Sequence, residues 1–211
     1  MNRYCAITII GLSLAFCFCL RGFAQQPGLI VGSRGSGFVV SSDGYILTNW
    51  HVVQDAAEIT VQVKGQTYQA TIVGMSEAND LALLKIPASG LTAVRLGNSL
   101  FVEVLEPVVA MGYPEVGYGK DLTSSTGEIT AIRTNAPGRQ GKDTLQHNAV
   151  ITHGSSGGPL FNTRGEVIGI NYAGDPPLNW AIPINEAIPL LRSCLLYTSD
   201  AADEGLGVDL G

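Results

Sequence analysis

Three side chains have the types and surroundings that acyl transfer needs. Ser156 lies in Gly154-Ser155-Ser156-Gly157-Gly158-Pro159, His51 in Asn49-Trp50-His51-Val52-Val53, and Asp80 just before the apolar run Leu81-Ala82-Leu83-Leu84. A serine hydroxyl is a weak nucleophile at neutral pH and needs a base to take its proton as it attacks; an imidazole titrates in the useful range. His51 fits that role. The base must be held in one tautomer by a carboxylate, which also stabilises the imidazolium that forms. Asp80 is the candidate. The tetrahedral intermediate carries an oxyanion that needs preorganised donors, so the Gly154-Ser155-Ser156 turn is the expected oxyanion hole, with the backbone N–H groups of Gly154 and Ser156 converging. Ser155 is the rival nucleophile, but the glycine pair must follow the attacking serine, and only Ser156 meets that condition. His147 and His153 read as ordinary surface or subsite residues. Three dispersed histidines make no metal site, and the chemistry calls for no cofactor.

The flanking runs resemble a known family. Gly35-Ser36-Gly37-Phe38-Val39-Val40-Ser41-Ser42-Asp43-Gly44-Tyr45-Ile46-Leu47-Thr48-Asn49 with His51-Val52-Val53, then Asp80-Leu81-Ala82-Leu83-Leu84-Lys85, then 154–160 and Gly165-Glu166-Val167-Ile168-Gly169-Ile170-Asn171 with Ala181-Ile182-Pro183, are similar to the HtrA-type (Deg) trypsin-fold serine proteases. The likeness covers residues 32–191 and has the chain order His, Asp, Ser. It implies an S1 pocket with Val150 at its base, six residues before the nucleophile, and Ile151 and Tyr172-Ala173-Gly174 along its wall. None is a carboxylate, so the expectation is cleavage after Val, Ala, Ile or Leu rather than Lys or Arg. The resemblance further implies a homotrimer, a peptide-binding PDZ domain downstream, and polypeptide substrates. Asn148 and His153 depart from the residues the family often has beside the site, which bears on subsites and activation rather than chemistry.

The elements that must carry these residues are strands. Short apolar or alternating runs at 37–40, 45–48, 59–63, 66–73, 81–86, 107–111, 122–133, 159–161, 167–171 and 179–182 are separated by turn residues, a spacing that favours barrels or sandwiches. Helix is expected only as a turn after His51 and over 186–193. With the resemblance, the fold class is all-β: two six-stranded antiparallel barrels of the chymotrypsin/trypsin type and a short C-terminal helix, with His51 and Asp80 on the first barrel, Ser156 on the second and the peptide in the cleft between. The stretch 135–143 is the most loop-like and reads as a solvated hairpin tip; in the resembling family this region belongs to regulatory loops.

Both ends stand apart from the domain at 25–193. Residues 1–24 carry Arg3, an apolar stretch and small residues at Gly22-Phe23-Ala24, the pattern of a signal peptide cleaved after Ala24, with an uncleaved anchor as the alternative. The protein is therefore expected to be exported, periplasmic or extracellular. Residues 194–211 resemble a translated sequencing adaptor, the alternative being a natural acidic tail. Cys5, Cys17, Cys19 and Cys194 all fall in these two ends, so no disulfide is expected in the domain. The full chain carries 12 basic and 18 acidic residues, and the basic ones are scattered, which argues against a nucleic-acid footprint. Two functional classes remain: an exported serine endopeptidase acting on unfolded or extended polypeptide, and a pseudoprotease or chaperone-like module that holds peptide without turnover.

Overall fold

The structure is a computed structural model and describes residues 4–11, 15–16, 33–113, 122–175 and 178–195. Its first sheet contains β1 (Tyr4–Gly11), β2 (Ala15–Phe16), β3 (Ser33–Val39), β4 (Tyr45–Thr48), β5 (Glu58–Val63), β6 (Gln66–Ser76) and β7 (Leu81–Lys85). They run in the order β2-β1-β3-β4-β7-β6-β5, and a further pairing of β1 with β5 closes six of them into a ring. The second sheet contains β8 (Arg95–Leu96), β9 (Pro107–Gly112), β10 (Thr123–Ala136), β11 (Arg139–His147), β12 (Pro159–Asn162), β13 (Glu166–Asp175) and β14 (Leu178–Pro183). Its order is β12-β9-β10-β11-β14-β13-β8, with β12 also paired to β13. Two short helices complete the fold, α1 (Trp50–Val53) and α2 (Ile188–Leu195).

The sequence patterns explain the faces. In β5, Glu-Ile-Thr-Val-Gln-Val alternates with the two-residue strand period, so Ile59, Val61 and Val63 are buried and the residues between them are partly exposed. In β7, Leu81, Ala82, Leu83 and Leu84 are all fully buried, because one face fills the first barrel and the other meets the second. One continuous core joins them: Leu47, Leu83 and Val53 belong to the same cluster as Phe161, Ile170 and Ile182. A smaller core, with Ile129, Leu145, Leu160 and Ala181, fills the second barrel. Each such side chain contributes about 1.5–3 kcal/mol on burial, so the two barrels stabilise each other.

Two barrels and a C-terminal helix agree with the sequence expectation, and four details differ. The strand β1 pairs parallel with both β3 and β5, so the first ring is not antiparallel throughout; β1 and β2 also fall inside the stretch read as a leader. The C-terminal helix also runs two residues past its expected end at 193. Cys194 and Leu195 form the last turn of α2, and Cys194 Sγ lies 3.6 Å from the Val73 carbonyl, because both residues suit a helix and extend its apolar face onto β6. Residues 196–211 lie outside the described residues. The two-residue strand β8 was not anticipated, being too short to show a period. Finally, 135–143 is a hairpin tip with Pro137, Gly138, Gln140, Gly141 and Asp143 exposed, as read, but β10 and β11 run almost to the turn and Arg139 is buried.

Candidate active site

The first barrel sets the base against the acid by strand register. Strands β4 and β7 pair from Tyr45↔Lys85 to Thr48↔Ala82, so the chain leaving β4 and the chain entering β7 emerge side by side. His51, on α1 just past β4, therefore meets Asp80, just before β7. The Asp80 carboxylate accepts twice from the same residue: the His51 backbone N–H donates to Oδ1 at 2.8 Å, and Nδ1 lies 2.7 Å from Oδ2. That contact selects the tautomer with the proton on Nδ1 and leaves Nε2 free to accept one. The Asp80 carbonyl is held as well, by Asn49 Nδ2 at 3.0 Å and Trp50 N–H at 3.1 Å. Asp80 itself sits in the left-handed region, with φ 55°.

Ser156 is placed by a turn sewn to both barrels. Within the second barrel, Gly157 N–H donates to the Asn171 carbonyl at 2.7 Å and Asn171 N–H to the Gly158 carbonyl at 2.8 Å. From the first barrel, Ser36 N–H donates to the Ser156 carbonyl at 2.7 Å, and Ser36 Oγ donates to the Gly154 carbonyl at 2.7 Å. Gly157 adopts φ +84°, and a Cβ there would overlap the Ser36 carbonyl and Thr48 Oγ1, so the position requires glycine. The same proximity brings the turn beside Asn49, two residues from His51. Ser156 Oγ donates to the Tyr172 carbonyl at 3.2 Å. Ser155 is buried, and its Oγ accepts from Thr152 N–H at 3.3 Å; that side chain faces into the fold.

The expected pocket residues separate. Ile151 is buried and lies against Gly174, where a Cβ would come within 3.0 Å of Ile151 Cγ1. Tyr172 is buried behind the nucleophile, its hydroxyl donating to the Pro137 carbonyl at 3.1 Å; burial pushes its phenol pKa up. The side chain of Ala173 lies outside the described residues. Val150 is 60% exposed, and its N–H donates to Ser125 Oγ at 2.8 Å. Val150 and Ile151 line a cavity of about 230 Å³ together with Met111, Thr123 and Ser125, and among the described residues no ionisable group lies on its wall. Of the two histidines read as surface or subsite residues, His147 is fully buried, at the end of a β11 stretch, Thr144 to His147, that is buried on both faces. Sequence reasoning passed over Ser36, Asn171 and Arg139. Ser36 and Arg139 act through contacts between the barrels, and Asn171 through a pairing of its strand with the Ser156 turn, for none of which a local motif exists.

Residues 35–170 match the family model described as a trypsin-like peptidase domain. The chain belongs to this family. Within it, the likeness is to HtrA-type proteases. A probable periplasmic serine endoprotease, DegP-like, of Pseudomonas putida is 41% identical over 185 residues, covering 81% of this chain and 38% of the relative. One from Hahella chejuensis is 41% identical over 167 residues, covering 76% of this chain and 35% of the relative. The chain thus spans under two fifths of these relatives. Among solved structures, the HtrA-type protease AlgW with a decapeptide superposes with a TM-score of 0.71 at 29% identity, covering 87% of this chain and 64% of that one. The same protease with a tripeptide gives 0.69 at 34% identity, covering 77% and 56%.

Proposed function

We propose that this trypsin-like domain is a serine endopeptidase that cuts unfolded or extended polypeptide through a Ser-His-Asp acyl-enzyme. The observation that carries this reading is the doubly bonded His51–Asp80 pair beside a nucleophile turn anchored by Ser36. Ser156 Oγ attacks the peptide carbonyl as His51 Nε2 takes its proton; Asp80 holds the ring and stabilises the imidazolium. The oxyanion is received by the N–H groups of Gly154 and Ser156. His51 then gives the proton to the leaving amine, and water repeats the sequence on the ester. Val150, Ile151, Tyr172, Ala173 and Gly174 offer no carboxylate to a basic P1 side chain, so peptide profiling should find Val, Ala, Ile or Leu at P1; a majority of Lys or Arg would overturn the pocket assignment.

The names of the relatives support a periplasmic setting; to this the reading adds a role in protein quality control, with 1–24 acting as the export leader, 25–193 as the trypsin-like serine protease domain and 194–211 as an adaptor-derived tail. A homotrimer and a downstream PDZ domain complete this reading. A second reading, a peptide holder without turnover, draws on the Ser156 hydroxyl being bonded to Tyr172 rather than to His51. A fluorophosphonate probe separates the two: covalent labelling at Ser156, lost in Ser156→Ala along with casein hydrolysis, supports the protease. His51→Ala and Ser156→Ala should cost about as much singly as together, since the triad acts as a unit. A folded protein that neither labels nor cleaves would support the holder.

A further inference from the structure

The hairpin of β10 and β11 carries a buried cation to the back of the acid. Arg139 opens β11 with its side chain 3% exposed. Its Nη1 donates to the Asn79 carbonyl at 3.0 Å, its Nη2 donates to Glu186 Oε2 at 2.5 Å, and its guanidinium lies 5.8 Å from the centre of the Tyr172 ring. Lys142, further along β11, donates from Nζ to the Ala78 carbonyl and to Asn79 Oδ1. One strand of the second barrel therefore grips the turn of the first barrel that precedes Asp80, the strand whose Tyr172 carbonyl receives Ser156 Oγ, and the residue Glu186 that leads into α2.

Asn79 and Asp80 share a peptide plane, and rotation about the next bond, the Asp80 φ, decides where the carboxylate points. At φ 55° a residue with a side chain is in a sparsely populated region and stays there only when its surroundings over-determine it. The Asp80 N–H donates to the Glu77 carbonyl at 3.0 Å, and the Asp80 carbonyl and carboxylate are bonded on the α1 side. The free side of the plane is the Asn79 carbonyl, the atom that Arg139 holds. A buried guanidinium costs several kcal/mol of desolvation, and here its Nε finds no partner among the described residues, so stability alone is a poor reason for the arrangement.

We propose that Arg139 is a positioning residue for Asp80: by clamping the Asn79–Asp80 peptide from across the cleft it keeps the carboxylate on His51 and ties that geometry to the Tyr172 strand. The assignment rests on the catalytic reading above. Its test uses the full chain with Arg139→Met, Arg139→Lys and Glu186→Gln, read by kcat and KM on a peptide substrate, thermal melting, and the low-field proton NMR signal of the His51–Asp80 hydrogen bond in the Ser156→Ala background. A misplaced catalytic group costs about 10²-fold in rate, so Arg139→Met should lower kcat by about that factor with KM nearly unchanged and the low-field proton lost. Arg139→Lys should recover part of both. If Arg139→Met fails to fold, Glu186→Gln takes its place, with a several-fold loss of kcat and a shifted proton signal expected. A sharp proton signal together with kcat that follows only the folded fraction would overturn the proposal. The proton signal does not require turnover, so a failed protease reading would show separately, as Ser156→Ala retaining full hydrolysis.

Discussion

His147 should make the second barrel acid-sensitive. Its ring is fully buried, neither nitrogen has a partner at good hydrogen-bonding geometry among the described residues, and burial lowers its pKa from 6.5 to about 4 against weaker opposing hydrogen-bond contributions from the Asn171 side chain and the Ala149 backbone. The groups paired with it across the sheet are Ile129 on β10 and Asn179 on β14, with Asn171 on β13; none is charged. Between pH 6.5 and 4 the unfolded chain binds this proton while the folded one does not, so stability is complete above 6.5 and is lost progressively as pH falls toward 4. A shift of that size is worth on the order of 3 kcal/mol, a large share of the 5–15 kcal/mol that typically holds a domain together. The assay is urea unfolding of the Ser156→Ala protein, which cannot digest itself, with and without His147→Gln at several pH values from 7.5 to 4. Carboxylates titrate equally in both, so the stability difference isolates the histidine: relative to the variant, the parent should lose about 3 kcal/mol between the two ends. A difference that stays flat across the range would refute the reasoning.

Leu105 adopts φ +74° and is 67% exposed, so it bears left-handed strain without much burial in return. Leu105→Gly should stabilise by about 1 kcal/mol, seen as a rise of roughly 2–4 °C in melting temperature; a fall would show that the side chain is packed. Gly157→Ala should cost about 4 kcal/mol or more and abolish fluorophosphonate labelling, since its Cβ overlaps the Ser36 carbonyl and Thr48 Oγ1. Gly138→Ala, at φ +73° with nothing within 4 Å, should cost only about 1–2 kcal/mol and leave labelling unchanged.

The sequence made legible whatever is written locally. Glycines and alternating apolar runs mark most strands, and His51 and Asp80 meet because each stands at the end of a run that reads clearly as strand. The β11 strand was hidden because Arg139, Gln140, Gly141, Lys142 and Asp143 have the composition of a loop, and only the packing of Arg139 on Tyr172 and Asn79 shows otherwise. His147 was misplaced for a related reason: no single-residue rule distinguishes an inward from an outward histidine when the strand carrying it has not been recognised. Val150 was assigned from spacing to the nucleophile, which gives a place along the chain but not the direction of the side chain.

The bonds from Ser36 to the carbonyls of Gly154 and Ser156 also bear on the life of the chain before it is a protease. Ser36 precedes Ser156 by 120 positions, and the turn takes two of its hydrogen bonds from it. Under the proposed function, a nascent or threaded polypeptide carries the serine without the frame that would make it reactive, and cutting power arrives only when these two distant parts of the domain have met. On that reading, neighbouring copies caught half-made are at risk from finished molecules, not from one another.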